Sequence, residues 1–293
     1  MQKITPHLWF NTEAKEATAF YTTLFQNSRV DHVSTITGTP SGDCDIVSFT
    51  LAHQKFMAIS AGPYFTLNSS ISLFTTFDSE AEIDEVWNKL SDGGKVLMPY
   101  QAYPWAKKYG WVEDKFGVSW QLSMSEHHMT EQKITPMFMF TQTHAGQSKE
   151  AIEYYTSIFP DSKTEMIVPY EEGEGDVTGY LKHARFTLSG HNFMAMDSSA
   201  PHAFTFNEAF SLIVHCDTQE EIDMYWSKLS AVPESEMCGW CKDKFGISWQ
   251  IVPRIMGEMM TQGTKEQITR VTQAFMKMKK FDVKTLEEAY ITH

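Results

Sequence analysis

Asp114-Lys115-Phe116-Gly117-Val118-Ser119-Trp120-Gln121 returns as Asp243-Lys244-Phe245-Gly246-Ile247-Ser248-Trp249-Gln250. Upstream, Lys3-Ile4-Thr5-Pro6-His7-Leu8-Trp9-Phe10 recurs as Lys133-Ile134-Thr135-Pro136-Met137-Phe138-Met139-Phe140. Glu16 to Phe25 recurs as Glu150 to Phe159, and Phe49-Thr50-Leu51 with Phe56-Met57-Ala58 as Phe186-Thr187-Leu188 with Phe193-Met194-Ala195. The order is kept while the spacing drifts, which is what a tandem duplication does when insertions fall in loops. The elements of each copy read as strand, helix, strands, then strand, helix, strands. Residues 4–10 alternate, with Thr5, His7 and Trp9 on one face and Ile4, Leu8 and Phe10 on the other. Ala17, Phe20, Tyr21, Leu24 and Phe25 fall at helical spacing. A second helix opens on a capping-box pattern, Ser79-x-x-Glu82 or Thr218-x-x-Glu221. Past the second copy, Ile268, Val271, Phe275 and Met278 mark one more helical face, and Asp282 can cap a short final helix ending near Tyr290. That tail has no counterpart after the first copy; its stripe is to be docked on a domain or used in a dimer.

Composition bounds the function. The chain has 293 residues, of which 42% are hydrophobic and 21% charged, so it can bury two ordinary cores. A net charge of −13 repels phosphate backbones and argues against nucleic acid. No apolar run approaches the roughly 18 residues of a membrane span, and the N-terminus enters a strand pattern without a signal-like core. Four cysteines do not make a disulfide framework. A cytoplasmic protein without membrane or nucleic-acid partners is expected.

These features together resemble the vicinal oxygen chelate (glyoxalase/bleomycin-resistance) superfamily. The opening I-T-P-x-L-x-F, the A-x-x-F-Y-x-x-x-F helix, F-M-A-I-S, the segment Tyr109 to Gln121 and the closing M-K-K-F-D-V-K-x-L-E-x-A-Y are similar to its PhnB-like branch. Members of that branch often carry the name 3-demethylubiquinone-9 3-methyltransferase. The resemblance implies an α+β fold of two glyoxalase-like modules, each two βαβββ units forming a U-shaped mixed sheet around a cleft. The modules are expected at residues 1–128 and 129–254, with a C-terminal helical extension at 255–293. A monomeric pseudo-dimer or a homodimer is implied.

Superfamily enzymes typically hold a divalent metal with His and Glu from the first, fourth, fifth and last strands of a module. Carried over, the first-strand position falls on His7, the fourth near Ala58 or Ser60, the fifth near Ser70 or Ser72, and the last on Gln121. In the second copy the positions fall on Met137, Asp197 or Ala195, Ser211 and Gln250. A neutral amide is a poor ligand for such ions, so no metal or other cofactor is expected; a divalent metal at His7 is the alternative. His7 is then a polar anchor or base, or a hydrogen-bonded histidine beside Trp9. Gln121 shares its strand face with Ser119 and can orient a ligand, while Trp120 and Trp249 fill the helix-facing core.

Residues 98–111 read as an aromatic loop near the mouth of the first cleft, shortened in the second copy. Tyr103 and Trp105 there, with Trp9, Ser72 and Ser119, are candidate ligand contacts. Cys238-Gly239-Trp240-Cys241 has redox or zinc spacing but runs into a strand, not a helix N-terminus, and reads as incidental. The glycines at 93–94 and at 173 and 175 do not follow a first strand as a nucleotide-type loop requires. The leading reading is a small-molecule binding protein or metal-independent enzyme using the first cleft. A metal-dependent isomerase or dioxygenase is the alternative, and a methyltransferase a third.

Overall fold

The computed structural model describes residues 2–39, 41–124 and 132–291. The expected module boundary at 128/129 lies outside the described residues.

Four βαβββ-type units follow one another. The first is β1 (Ile4–Phe10), α1 (Ala14–Tyr21), β2 (Arg29–Thr39), β3 (Gly42–Leu51) and β4 (Gln54–Ser60); the second is β5 (Ile71–Phe77), α2 (Glu80–Ser91), β6 (Lys95–Tyr103), β7 (Ala106–Glu113) and β8 (Ser119–Met124). The third is β9 (Ile134–Phe140), α3 (Ser148–Ile158), β10 (Lys163–Pro169), β11 (Leu181–Leu188) and β12 (His191–Asp197). The fourth is β13 (Phe210–Cys216), α4 (Gln219–Leu229), β14 (Trp240–Lys242) and β15 (Ser248–Pro253), followed by α5 (Arg254–Gln262), α6 (Lys265–Phe275) and α7 (Val283–Ile291).

The strands pair across the two copies. One sheet has the order β14-β15-β13-β1-β4-β3-β2, and the other β10-β11-β12-β9-β5-β8-β7-β6. The first unit therefore shares a mixed sheet with the fourth, and the second with the third. At the seams β1 runs antiparallel to β13, with His7 opposite Ser211, and β5 antiparallel to β9, with Ser72 opposite Met137. Two equivalent ion pairs tie a first strand to the partner unit's helix: Lys3 to Glu221 at 2.9 Å and Lys133 to Glu82 at 2.7 Å. These glutamates were expected to close capping boxes. Ser79 and Thr218 do cap their helices, but both glutamates turn to lysines instead.

The helical cores, by contrast, stay within each copy. Trp120 of β8 packs against Tyr21 of α1 at 5.4 Å, and Trp249 of β15 against Tyr155 of α3 at 5.4 Å. The repeated D-x-F-G turn fixes those indoles. Asp114 accepts from the Phe116 and Val118 N–H groups and from Trp120 Nε1 (2.8, 3.0 and 2.8 Å). Gly117 takes the left-handed turn position, φ +86°, where a side chain would be strained. Asp243 repeats the arrangement and also accepts from the Tyr155 hydroxyl at 2.7 Å. Each copy is thus one packing unit whose strands are dealt to two sheets.

The aromatic stretch 98–111 is the β6–β7 hairpin, not a loop. In the fourth unit its outer strand is missing among the described residues, and the tail stands there instead: the Cys238 and Gly239 N–H groups donate to the Met278 and Lys279 carbonyls (2.8 and 2.7 Å). The tail is docked on this chain, with Phe281 buried against Gly239. The expected helix stops at Phe275, short of Met278, and a further helix, α5, precedes it with Met259 buried. Asp282 does cap α7, accepting from the Thr285 N–H at 2.7 Å. No helix among the described residues is long and apolar enough to cross a membrane.

Candidate functional site

Each sheet presents the face that its helices do not cover, and the cross-pairing sorts the candidate residues onto two faces. His7 and Trp9 lie on the first sheet; Ser72, Tyr103, Trp105, Ser119 and Gln121 lie on the second. His7 and Gln121 therefore do not share a cleft, contrary to expectation. The reason is that β1 takes β13 as its neighbour and β5 takes β9, a choice of partner that no spacing within one copy encodes.

On the first face, Gln250 Nε2 donates to Ser211 Oγ at 2.9 Å, which leaves the serine hydrogen to face His7 Nδ1 at 3.4 Å. Trp240 meets the His7 ring edge-on at 5.4 Å, and Trp9 follows with its Nε1 donating to the Gly62 carbonyl at 2.8 Å. Burial pulls the His7 pKa down to about 3, so the imidazole is neutral at pH 7. Its neighbour on β4 is Met57, not Ala58 or Ser60, which share the helix-side register. Ser60 Oγ accepts from the Ala14 N–H at the start of α1.

The second face has the same amide–hydroxyl pair: Gln121 Nε2 donates to Ser72 Oγ at 2.8 Å. Here the position of His7 is held by Met137, whose Sδ lies 3.4 Å from the same nitrogen. The other end of the amide is held by Tyr109, whose hydroxyl donates to Gln121 Oε1 at 2.7 Å. Above Tyr109 stand Tyr103 (5.6 Å, edge-on) and Trp105 (6.2 Å, edge-on), themselves stacked at 4.9 Å. Ser119 Oγ accepts from Trp111 Nε1 at 2.7 Å, so that hydroxyl orients an aromatic wall. Five sequence candidates thus converge, while Trp105 stays 65% exposed at the hairpin tip. Tyr109, Trp111, Trp240 and the side chains of β10–β12 were not singled out as contacts by the sequence. Tyr109 and Trp111 had a usable signal, because both fall in the aromatic stretch 98–111 and, two residues apart, share one face once that stretch is a strand.

The superfamily's ligand positions can be tested against these side chains. At those positions the first face offers an imidazole, a hydroxyl, an amide and a thioether, and the second an amide, a hydroxyl and the thioethers of Met137 and Met194. Fe, Mn, Zn or Ni ions favour imidazole and carboxylate, so neither donor set fits such an ion. Among the described residues no three of His, Cys, Asp and Glu cluster for a metal. Asp197, a candidate in the second copy, faces the helix instead: it accepts from the Gly146, Ser148 and Leu181 N–H groups (2.8, 3.2 and 2.8 Å) and from the Ser148 hydroxyl. Cys238 and Cys241 are free thiols, and burial raises both pKa values, the opposite of an activated thiolate.

Comparison with known proteins agrees with this architecture. The family described as 3-demethylubiquinone-9 3-methyltransferase matches twice, at residues 2–123 and 132–252. A PhnB protein from Bacillus cereus is 41% identical over 42% of this chain and 100% of its own, with a TM-score of 0.40. Protein PA1353 from Pseudomonas aeruginosa is 26% identical over 43% of this chain and 98% of its own (TM-score 0.38). A glyoxalase I mutant from Zea mays is similar in fold, with a TM-score of 0.52 over 85% of this chain and 93% of its own at 10% identity. No functionally curated protein matches the chain. With the duplicated match covering both copies and the two mixed sheets in place, the chain belongs to the 3-demethylubiquinone-9 3-methyltransferase family and has a glyoxalase-like fold.

Proposed function

We propose that this protein binds a small, flat organic molecule on the face of the β5–β12 sheet, and that it does so without a metal ion. The observation that carries the reading is the Tyr109–Gln121–Ser72 hydrogen-bonded line beneath the Tyr103–Trp105 pair. Aromatic walls with a few convergent polar groups are the usual make-up of a small-molecule site. A buried amide pinned at both ends is pre-oriented, so it loses little freedom when a ligand replaces one partner. Gln121 is then the orienting residue, Ser72 and Ser119 hold it and the wall in place, and Trp105 closes the mouth. His7, with Trp9, serves as the polar anchor of the other face.

The donor chemistry supports the metal-free reading over a metal-dependent isomerase or dioxygenase. Methyl transfer, which the family name carries, finds little support: β1 leads through Asn11-Thr12-Glu13 into α1 without a glycine, so the usual cofactor loop is missing at that position. The cross-paired halves support a single-chain pseudo-dimer as the assembly.

Calorimetric titration of the chelator-treated protein with 2-naphthol, a flat and uncharged probe at pH 7, tests the reading. Binding that weakens about tenfold in the exposed-residue variant Trp105→Ala, and again in Gln121→Ala, is the expected result. Absence of binding, or binding indifferent to both substitutions, would overturn it.

A further inference from the structure

The end of this sheet away from the aromatic hairpin has its own chemistry. Reading across the second sheet at the level of Ser72, the partners are Met137, Met194, Arg185 and Met166. Paired residues on neighbouring strands share a face, so this row continues the one that Gln121 and Ser72 occupy. Arg185 Nη2 lies 3.9 Å from Met166 Sδ, at the far side of the row. His183, two residues along β11 and on the same face, has its pKa lowered to about 4 by burial and by the Arg185 charge, and is a neutral neighbour. Strands are about 4.8 Å apart, which places Arg185 roughly 10 Å of sheet from Met137. A bicyclic ring laid on the thioethers of Met137 and Met194 spans much of that gap. Thioethers favour aromatic rings, and a guanidinium favours carboxylates through paired hydrogen bonds. The equivalent row of the first sheet reads Ser211, His7, Met57, Ser48 and His32, without an arginine or lysine.

We infer that the ligand class of the β5–β12 face is an aromatic carboxylate, its ring held between the Tyr103–Trp105–Tyr109 wall and the Met137–Met194 floor and its carboxylate on Arg185. This rests on the reading above, and it adds the charge. On a chain of net charge −13, an anion would otherwise be repelled, so the cation decides the selectivity.

The test compares three probes by calorimetry at pH 7: 2-naphthoate, 2-naphthol and acetate. The inference expects 2-naphthoate to bind more tightly than 2-naphthol, and acetate not to bind. Arg185→Gln should weaken 2-naphthoate about ten- to a hundredfold and leave 2-naphthol within about twofold, the size of a lost charged hydrogen-bond pair. Arg185→Lys, which keeps the charge and the fold of the site, should fall between. If both naphthyl probes bind equally and Arg185→Gln changes neither, the inference is overturned while the small-molecule reading stands. If neither naphthyl probe binds, both are overturned.

Discussion

Asp114→Asn probes the motif that organises each copy. The carboxylate is buried, and that burial outweighs its hydrogen bonds from Trp120 and from the Phe116 and Val118 N–H groups, raising its pKa from 3.8 to about 6. Because the folded value is raised, the folded chain holds this proton more tightly than the unfolded one. Stability from this group is therefore full below pH 4 and is lost as the pH rises through 6. The difference of about two pKa units corresponds to about 3 kcal/mol. Asparagine does not titrate. It keeps an oxygen for the two backbone donors but sets an amide NH2 group against the Trp120 indole, a pH-independent cost of about 1–3 kcal/mol. Urea unfolding of both proteins between pH 4 and 8 isolates the effect, since every other carboxylate cancels in the difference. The variant should gain about 3 kcal/mol relative to the native chain between pH 4 and 7. A difference that stays flat across that range would show that the carboxylate is not desolvated as argued.

Two further outcomes follow from the arrangement of sheets and faces. Cutting the chain between residues 124 and 132 should leave the two copies together as one species on gel filtration, because the β1–β13 and β5–β9 ladders cross between them; two separately folded monomers would contradict the cross-pairing. The His7 ring should show no protonation by nitrogen NMR from pH 8 to 5, its pKa being pulled to about 3. Since that value lies below the unfolded one, His7 contributes stability above pH 6.5 that is lost as the pH falls toward 3, and His7→Gln should flatten this slope.

Much was legible without coordinates. The duplication, the strand–helix order, the helix-facing indoles of Trp120 and Trp249 and the turn at Gly117 are all local: each depends on periodicity or on the demands of one turn, which a linear pattern records. The alternation of residues 4–10 likewise put His7 and Trp9 on one face, and the alternation through Ser119 and Gln121 put those two together. The donor deficit at the ligand positions was visible too, because residue type alone decides whether a side chain suits a divalent ion.

The choice of strand partner was not legible. β1 could close on β5 of its own copy or on β13 of the other, and both offer an apolar strand of seven residues with a serine at its second position. What separates them is geometry: α1 packs against Trp120 from behind, so the two sheets of one copy stand back to back around their helices, and each must find its seam partner in the other copy. That single long-range choice parted His7 from Gln121 and put Arg185 of the second copy on the same sheet as Ser72 and Gln121 of the first. Sequence determined which residues line a face, because side-chain direction follows from local backbone period. Tertiary structure decided which faces meet, because strand pairing is set by how whole layers pack.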